Sequence, residues 1–252
     1  MPSQTGIITV RGTTGNVTFY KRKNGYGMRA KGGVDPKRIQ NDPAFIRTRE
    51  NGHEFGRAAA AGKLLRNALN SVLIQVADSQ VGNRLASLFN RVIKTDTLNN
   101  RGARTVPEGE LGFFKGFEFN ANSPLSTTLY AAVTAAIDRV SGAATVTIPA
   151  FVPEKYLATP TGATHYILTA IGAEVNFDNG SSVHALTSSG EMPITGQEMP
   201  PVNFVIDLPP NSAHPLFLAL CIEFVQEVNG RFYGLSSGQF NAMSMVAVNK
   251  AA

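Results

Sequence analysis

The chain has 252 residues, 43% of them hydrophobic and 16% charged, enough for one large domain or two small ones with a core that requires no disulfide or metal staple. Its net charge of +5 hides a polarity: up to Arg104 there are eighteen Lys and Arg against six Asp and Glu (+12), and from Thr105 onward five against twelve (−7). No apolar stretch approaches the ~20 residues that span a bilayer, and residues 1–5 lack a charged segment followed by an apolar one, so neither a membrane span nor a signal peptide is expected and the expected location is the cytoplasm or a particle assembled there.

In chain order, residues 6–11, 16–22 and 26–31 read as strands of a small meander, with the β-branched and aromatic residues Ile8, Val10, Val17 and Phe19 suited to them. The first connection is read as 12–15. At the second, Asn24-Gly25 is a strong hairpin signal, because a type I′ turn needs positive φ at both central residues. This meander carries Arg11, Lys21, Arg22, Lys23, Arg29 and Lys31, interleaved with Phe19, Tyr20 and Tyr26. Asp42-Pro43 reads as a helix start, a capping side chain followed by a proline that suits the first helical position. That helical region runs to about Ala77 and is weakened at Gly52, Gly56 and Gly62, each by about 1 kcal/mol relative to Ala, unless these glycines mark breaks or close helix packing. Asp78-Ser79 opens a second helix with Val81, Leu85, Leu88, Phe89, Val92 and Ile93 at helical spacing, making an αα-hairpin. The helices add the cations Arg47, Arg49, Arg57, Lys63, Arg66, Arg84 and Arg91.

After Pro107 the pattern changes. Residues 113–119, 129–138, 143–148, 164–171, 182–186, 202–208, 216–228, 231–233 and 240–248 read as short strands separated by Gly, Pro, Asn and Ser clusters, with Ser141-Gly142 and Asn229-Gly230 as tight turns. The run 216–224 is apolar on both faces and belongs in the centre of a sheet. Its Cys221, the only cysteine, has no partner and reads as a buried, unreactive thiol. The fold class expected is α+β, mainly β: an antiparallel β-sandwich or jelly-roll-like body with an N-terminal β-meander and αα-hairpin. The division expected is a basic region 1–104 and an acidic sandwich 105–252, or one unit if the meander completes a sheet of the sandwich.

The catalytic motifs fail on chemistry. Residues 234–238 match G-x-S-x-G around Ser236, but a nucleophile elbow needs a strand-to-helix turn in a parallel sheet and a later histidine, and the last here is His214. Gly56 to Gly62-Lys63 has five intervening residues, Leu64 where a phosphate-binding loop has Ser or Thr, and no preceding strand. His53, His165, His184 and His214 are scattered, without metal-ligand spacing. The carboxylate pairs Glu108/Glu110 and Glu174/Asp178 read as solvated charges. No catalytic residue, cofactor or metal is expected. The basic meander remains: cations interleaved with aromatics contact phosphates while stacking bases, and its edge is open to strands of another subunit.

Several runs together carry a resemblance: residues 15–21, 31–34, 41–45, 47–51, 62–66, 222–230 and 241–243. On these the chain resembles a group of uncharacterised proteins from Bacteroidota. The resemblance covers most of the chain and implies a bacterial or mobile-element source; it carries no activity and transfers no site residue. The function expected is that of a non-enzymatic structural protein that self-associates into an oligomer or larger assembly, for instance a phage-like particle or tube. Its basic N-terminal region would contact neighbouring subunits or nucleic acid, through Arg11, Lys21, Arg22, Lys23, Arg29, Lys31, Arg47, Arg49, Arg57, Lys63 and Arg66 with Phe19, Tyr20 and Tyr26. The alternative is a nucleic-acid-binding protein acting as a monomer or dimer. A third class, an enzyme on the sandwich loops, would depend on Ser236.

Overall fold

The computed structural model describes residue 4, residues 9–30 and residues 33–250, the side chain of Ser236 excepted. Packing divides the chain into the units Met1–Arg49 and Glu50–Ala252.

In the first unit, β1 (Gly12–Thr14), β2 (Val17–Arg22) and β3 (Gly25–Ala30) form an antiparallel sheet in that order. Thr14 pairs with Val17 and Arg22 with Gly25, so the two connections are Gly15-Asn16 and Lys23-Asn24. The second hairpin therefore turns one residue earlier than Asn24-Gly25 suggests. Gly25 opens β3 at φ +117°, a backbone that side chains rarely adopt. Of the expected strand 6–11, residues 6–8 lie outside the described residues and 9–11 are not in a strand. The stretch read as a connection supplies β1 instead, its two β-branched threonines pairing on β2. A short helix, α1 (Pro36–Asn41), follows. Asp35 accepts from the Lys37 N–H at 2.8 Å and Pro36 takes the first helical position. The same device recurs as expected at Asp42-Pro43, where Asp42 accepts from the Ala44 N–H at 2.9 Å. The turn it caps runs into α2 (Ile46–Ala68).

The second unit is built around two antiparallel sheets. The large sheet contains β6 (His165–Asn176), β7 (Ser181–Pro193), β9 (Leu216–Val228), β10 (Arg231–Gly234) and β11 (Ala242–Asn249). Its order is β10-β9-β6-β7, with β11 also on β9, along residues 216–222. The small sheet contains β4 (Thr134–Ile137), β5 (Ala143–Ile148) and β8 (Val202–Asp207) in the order β4-β5-β8. Alternation along each strand decides which residues meet. Ala144, Val146, Ile148, Phe204 and Ile206 pack on the even-numbered side chains of the large sheet, among them Tyr166, Leu168, Leu218, Leu220 and Phe224. The odd-numbered side chains Ile171, Ala173, Val175, Phe217, Ala219 and Cys221 face the helices. The helical layer is α2, α3 (Asn70–Leu73) and α4 (Val81–Ile93), which contribute Leu65, Leu69, Val72, Leu85, Phe89 and Val92. The continuous apolar run of β9 follows directly, since that strand is covered on both faces.

From Glu50 onward the helical layer thus packs with the sandwich, and the boundary between the two packing units falls at 49/50. The helical region expected to reach Ala77 breaks after Ala68, where Leu69 leaves helical geometry at φ −97°, ψ 4°. Gly62 marks close packing: a Cβ there would lie 3.4 Å from the Ala86 nitrogen of α4. The strand expected over 113–119 is absent. Residues Leu111–Phe114 form a 3-10 turn capped by Glu110. The following residues bind β11, with Gly116 N–H donating to Met245 at 2.8 Å and Phe119 N–H to Met243 at 2.7 Å. Aromatics that read as a strand are here wedged between the sheet edge and α4. Asn229-Gly230 joins β9 to β10 with φ +52° and +75°, the type I′ turn expected. Residues 182–186 lie in the first half of a longer strand, β7, and 129–138 contract to β4.

Candidate contact surface

The first unit contains ten Lys and Arg against two Asp, a net charge of +8 in 49 residues, whereas the second carries thirteen against sixteen acids, net −3. The meander displays this charge on both faces. On one, Tyr20 pairs with Gly27, and the guanidinium carbons of Arg22 and Arg29 lie 5.2 and 5.7 Å from its ring centre. Arg22 also donates to the Tyr20 hydroxyl at 3.0 Å. Gly27 leaves the room for this, since a Cβ there would run into the Arg22 guanidinium. On the other face Lys21 pairs with Tyr26, and Arg11 lies 5.6 Å over the Tyr26 ring. Hydrogen bonds from Arg11 and then Thr9 hold the Tyr26 hydroxyl below the usual tyrosine range. Val17, Phe19 and Met28 share this second face and are half-buried. No apolar side chain of the first unit is buried among the described residues; the buried core begins at Ala58.

The other cations singled out from the sequence have separate roles. Lys31 lies outside the described residues. Lys23 is exposed at the hairpin tip, and Arg47 is exposed on α2. Arg49 donates to the carbonyls of Ile39 at 2.8 Å and Asp42 at 3.0 Å, tying α2 to α1. Arg57 donates to the carbonyls of Arg104, at 2.8 Å, and Gly102. Arg66 lies against Gly82, where a Cβ would come 2.8 Å from Nη1. Lys63 is exposed beside a cleft of about 390 Å³ whose wall includes Leu64, Val106 and Phe177. Arg84 donates to the carbonyls of Glu118 and Phe119 and pairs with Asp78 at 2.6 Å, and Arg91 lies 4.1 Å over the Phe113 ring. Lys21, Arg22, Lys23 and Arg29 therefore share one small sheet, on its two faces and hairpin tip, and Arg49, Arg57 and Arg84 act as internal struts.

Sequence reasoning missed the acidic residues that form part of a sheet face. Glu191 and Glu223 both pair with Ile167, and Glu227 pairs with Phe232 on the same side. The alternation Glu223, Val225, Glu227 was the available signal, obscured by the apolar run before it. Burial, and then the neighbouring Glu191 charge, hold the Glu223 carboxyl above the usual range. Among the described residues no group of three or more His, Cys, Asp or Glu is placed to hold a metal ion.

The G-x-S-x-G stretch leads from β10 into a 3-10 turn, Ser236–Gly238, between antiparallel strands of one sheet. That is not the elbow a nucleophile requires. Burial raises the Cys221 thiol well above its usual range, so little of it is the reactive thiolate at neutral pH. No helix among the described residues is long and apolar enough to cross a membrane. Comparison with protein families, with curated proteins and with solved structures found no match.

Proposed function

We propose that the chain is a non-enzymatic structural protein that assembles with copies of itself, its basic first unit making contacts between neighbours. The observation that carries this reading is the contrast between the two units. The second holds two cores of buried side chains. The first keeps every described apolar side chain at least partly accessible and concentrates a charge of +8. A three-stranded sheet gains lasting order by burying one of its faces, and the face with Val17, Phe19 and Met28 is suited to a partner. The opposite sign of the second unit supplies electrostatic complementarity between copies. The test is the mass of nuclease-treated protein by light scattering at low and high salt. A discrete or very large multimer, reduced at high salt, is expected. A 26.9 kDa particle at every salt concentration overturns the proposal.

The charge of the meander also supports a second reading, binding of nucleic acid by a monomer or dimer. It predicts an affinity that falls steeply with salt and is abolished by neutralising Lys21, Arg22 and Lys23 without a change in mass. The tyrosine rings favour the first reading, because guanidinium groups already lie over those of Tyr20 and Tyr26, where a base would stack.

A further inference from the structure

The helical layer covers only part of the large sheet's odd-numbered face. On β6 and β9 it meets Ile171, Ala173, Val175, Phe217, Ala219 and Cys221. Further along the same face lie His165 and Ile167 on β6, and Phe232 on β10. Ile167 is half-buried, Phe232 is 40% exposed, and both stand outside the two hydrophobic cores. The His165 and Phe232 rings meet edge to face at 4.9 Å, which gives this part of the sheet a fixed apolar relief.

Glu191 and Glu223 flank Ile167, and among the described residues neither forms a salt bridge with a Lys or Arg. Glu227 reaches His165 at 3.8 Å. Arg231, the cation of the β10 arm, pairs with Val228 and so takes the opposite face. Glu223 also lines a cleft of about 310 Å³ together with Ile74, Gln75, Ser237 and Asn241. The Asn241 amide is held by the Gln75 carbonyl and the Phe224 N–H, so the cleft offers the half-buried Glu223 carboxylate as its charged group, suited to a cationic side chain that brings its own hydrogen-bond donors.

We propose that this uncovered end of the large sheet is the docking face for the Lys21-Arg22-Lys23 hairpin of a second copy, with one of its cations entering the cleft at Glu223. The inference rests on the self-assembly reading and adds the contact that would produce it. Charge complementarity selects the occupant: the face presents the carboxylates of Glu191, Glu223 and Glu227, and the hairpin places three cations around a two-residue turn. The aromatic and aliphatic side chains of the two surfaces supply the apolar contact, Phe19 and Met28 on one side and Ile167 and Phe232 on the other. Two carboxylates beside one apolar residue repel each other until a cation arrives, so the contact gains more from the pairing than an isolated surface pair would.

The experiment compares light-scattering masses of the full chain, of Glu191→Lys/Glu223→Lys, of Lys21→Glu/Arg22→Glu/Lys23→Glu, and of a chain carrying all five changes. Each reversal alone is expected to raise the concentration needed for half-assembly at least tenfold, and the combined chain is expected to recover most of that loss. Glu191→Gln/Glu223→Gln relieves the like-charge repulsion without adding charge. It decides the matter if the lysine variant does not fold, and a tenfold loss is again expected. Unchanged multimers in the glutamate variants overturn this contact and leave self-assembly standing through another surface. A full-length protein that is monomeric throughout overturns the assembly reading itself, and this inference with it.

Discussion

Arg84, on α4, donates Nη1 to the Glu118 carbonyl at 2.6 Å and so joins the helical layer to the segment that closes the edge of β11. Its other terminal nitrogen reaches the Phe119 carbonyl at 3.0 Å and Asp78 at 2.6 Å, and the guanidinium lies 5.1 Å over the Phe117 ring. Lysine keeps the charge but cannot reproduce this fork. Arg84→Lys is expected to cost about 1–3 kcal/mol by leaving carbonyls unpaired, read as a lower urea midpoint. An unchanged midpoint would mean that water satisfies those carbonyls equally well.

The glycines of α2 should separate by surroundings. Gly52 and Gly56 face open space, so Gly52→Ala and Gly56→Ala should each stabilise the chain by up to about 1 kcal/mol through helix propensity. Gly62 faces the α4 backbone, with Leu85 Cβ at 3.6 Å, and Gly62→Leu should cost about 1–3 kcal/mol by forcing the helices apart. Thermal unfolding of the three variants checks the ranking.

Asp96 is buried and closes the loop after α4. It accepts from the backbone of Leu98, Asn99 and Thr105 and from the Asn99 side chain, at 2.8–3.0 Å. Burial alone would raise its pKa, but these hydrogen bonds outweigh it and hold the carboxyl at about 2, below its ordinary 3.8. A depressed acid contributes stability above its unfolded value and loses it as pH falls through the folded value. The contribution, on the order of 2 kcal/mol, is therefore expected to be present at neutral pH and to disappear between about pH 4 and pH 2. Asp96→Asn should flatten that part of the stability profile in denaturant titrations at stepped pH.

Phe19 pairs with Met28 on the half-buried face of the meander. Phe19→Asp should remove the multimer seen by light scattering. The main thermal transition should move by no more than a few degrees, because the buried cores of the second unit do not include Phe19. A large fall in that transition would assign Phe19 to the fold of the monomer and count against a contact role.

Features decided within a few residues were legible in advance. Asp42-Pro43 marks a helix start because a carboxylate can cap free N–H groups whatever surrounds it. Asp78 accepts from the Gln80 N–H in the turn before α4, which begins three residues later at Val81 without a side-chain cap. Asp35-Pro36 carries the same signal and opens α1, none of whose residues is buried. Asn229-Gly230 turned as expected, whereas Asn24-Gly25 did not, because pairing of Arg22 with Gly25 set the register of that hairpin. Residues 113–119 alternate like a strand, yet Phe114 and Phe119 are buried from a 3-10 turn and the segment that follows it.

The sequence by itself determined the mainly β character, the central place of β9 and the excess of cations near the start of the chain. These follow from local propensity, apolar patterning and counting. Only the tertiary structure decided that the helices lie on the large sheet, and that Arg49, Arg57 and Arg84 serve as struts while Lys21, Arg22 and Arg29 stand on the meander. It also brought Glu191 and Glu223 to either side of Ile167. The physical reason is the same in each case. A charge has one sign wherever it sits, but its partner is set by strand register and helix packing between residues far apart in the chain.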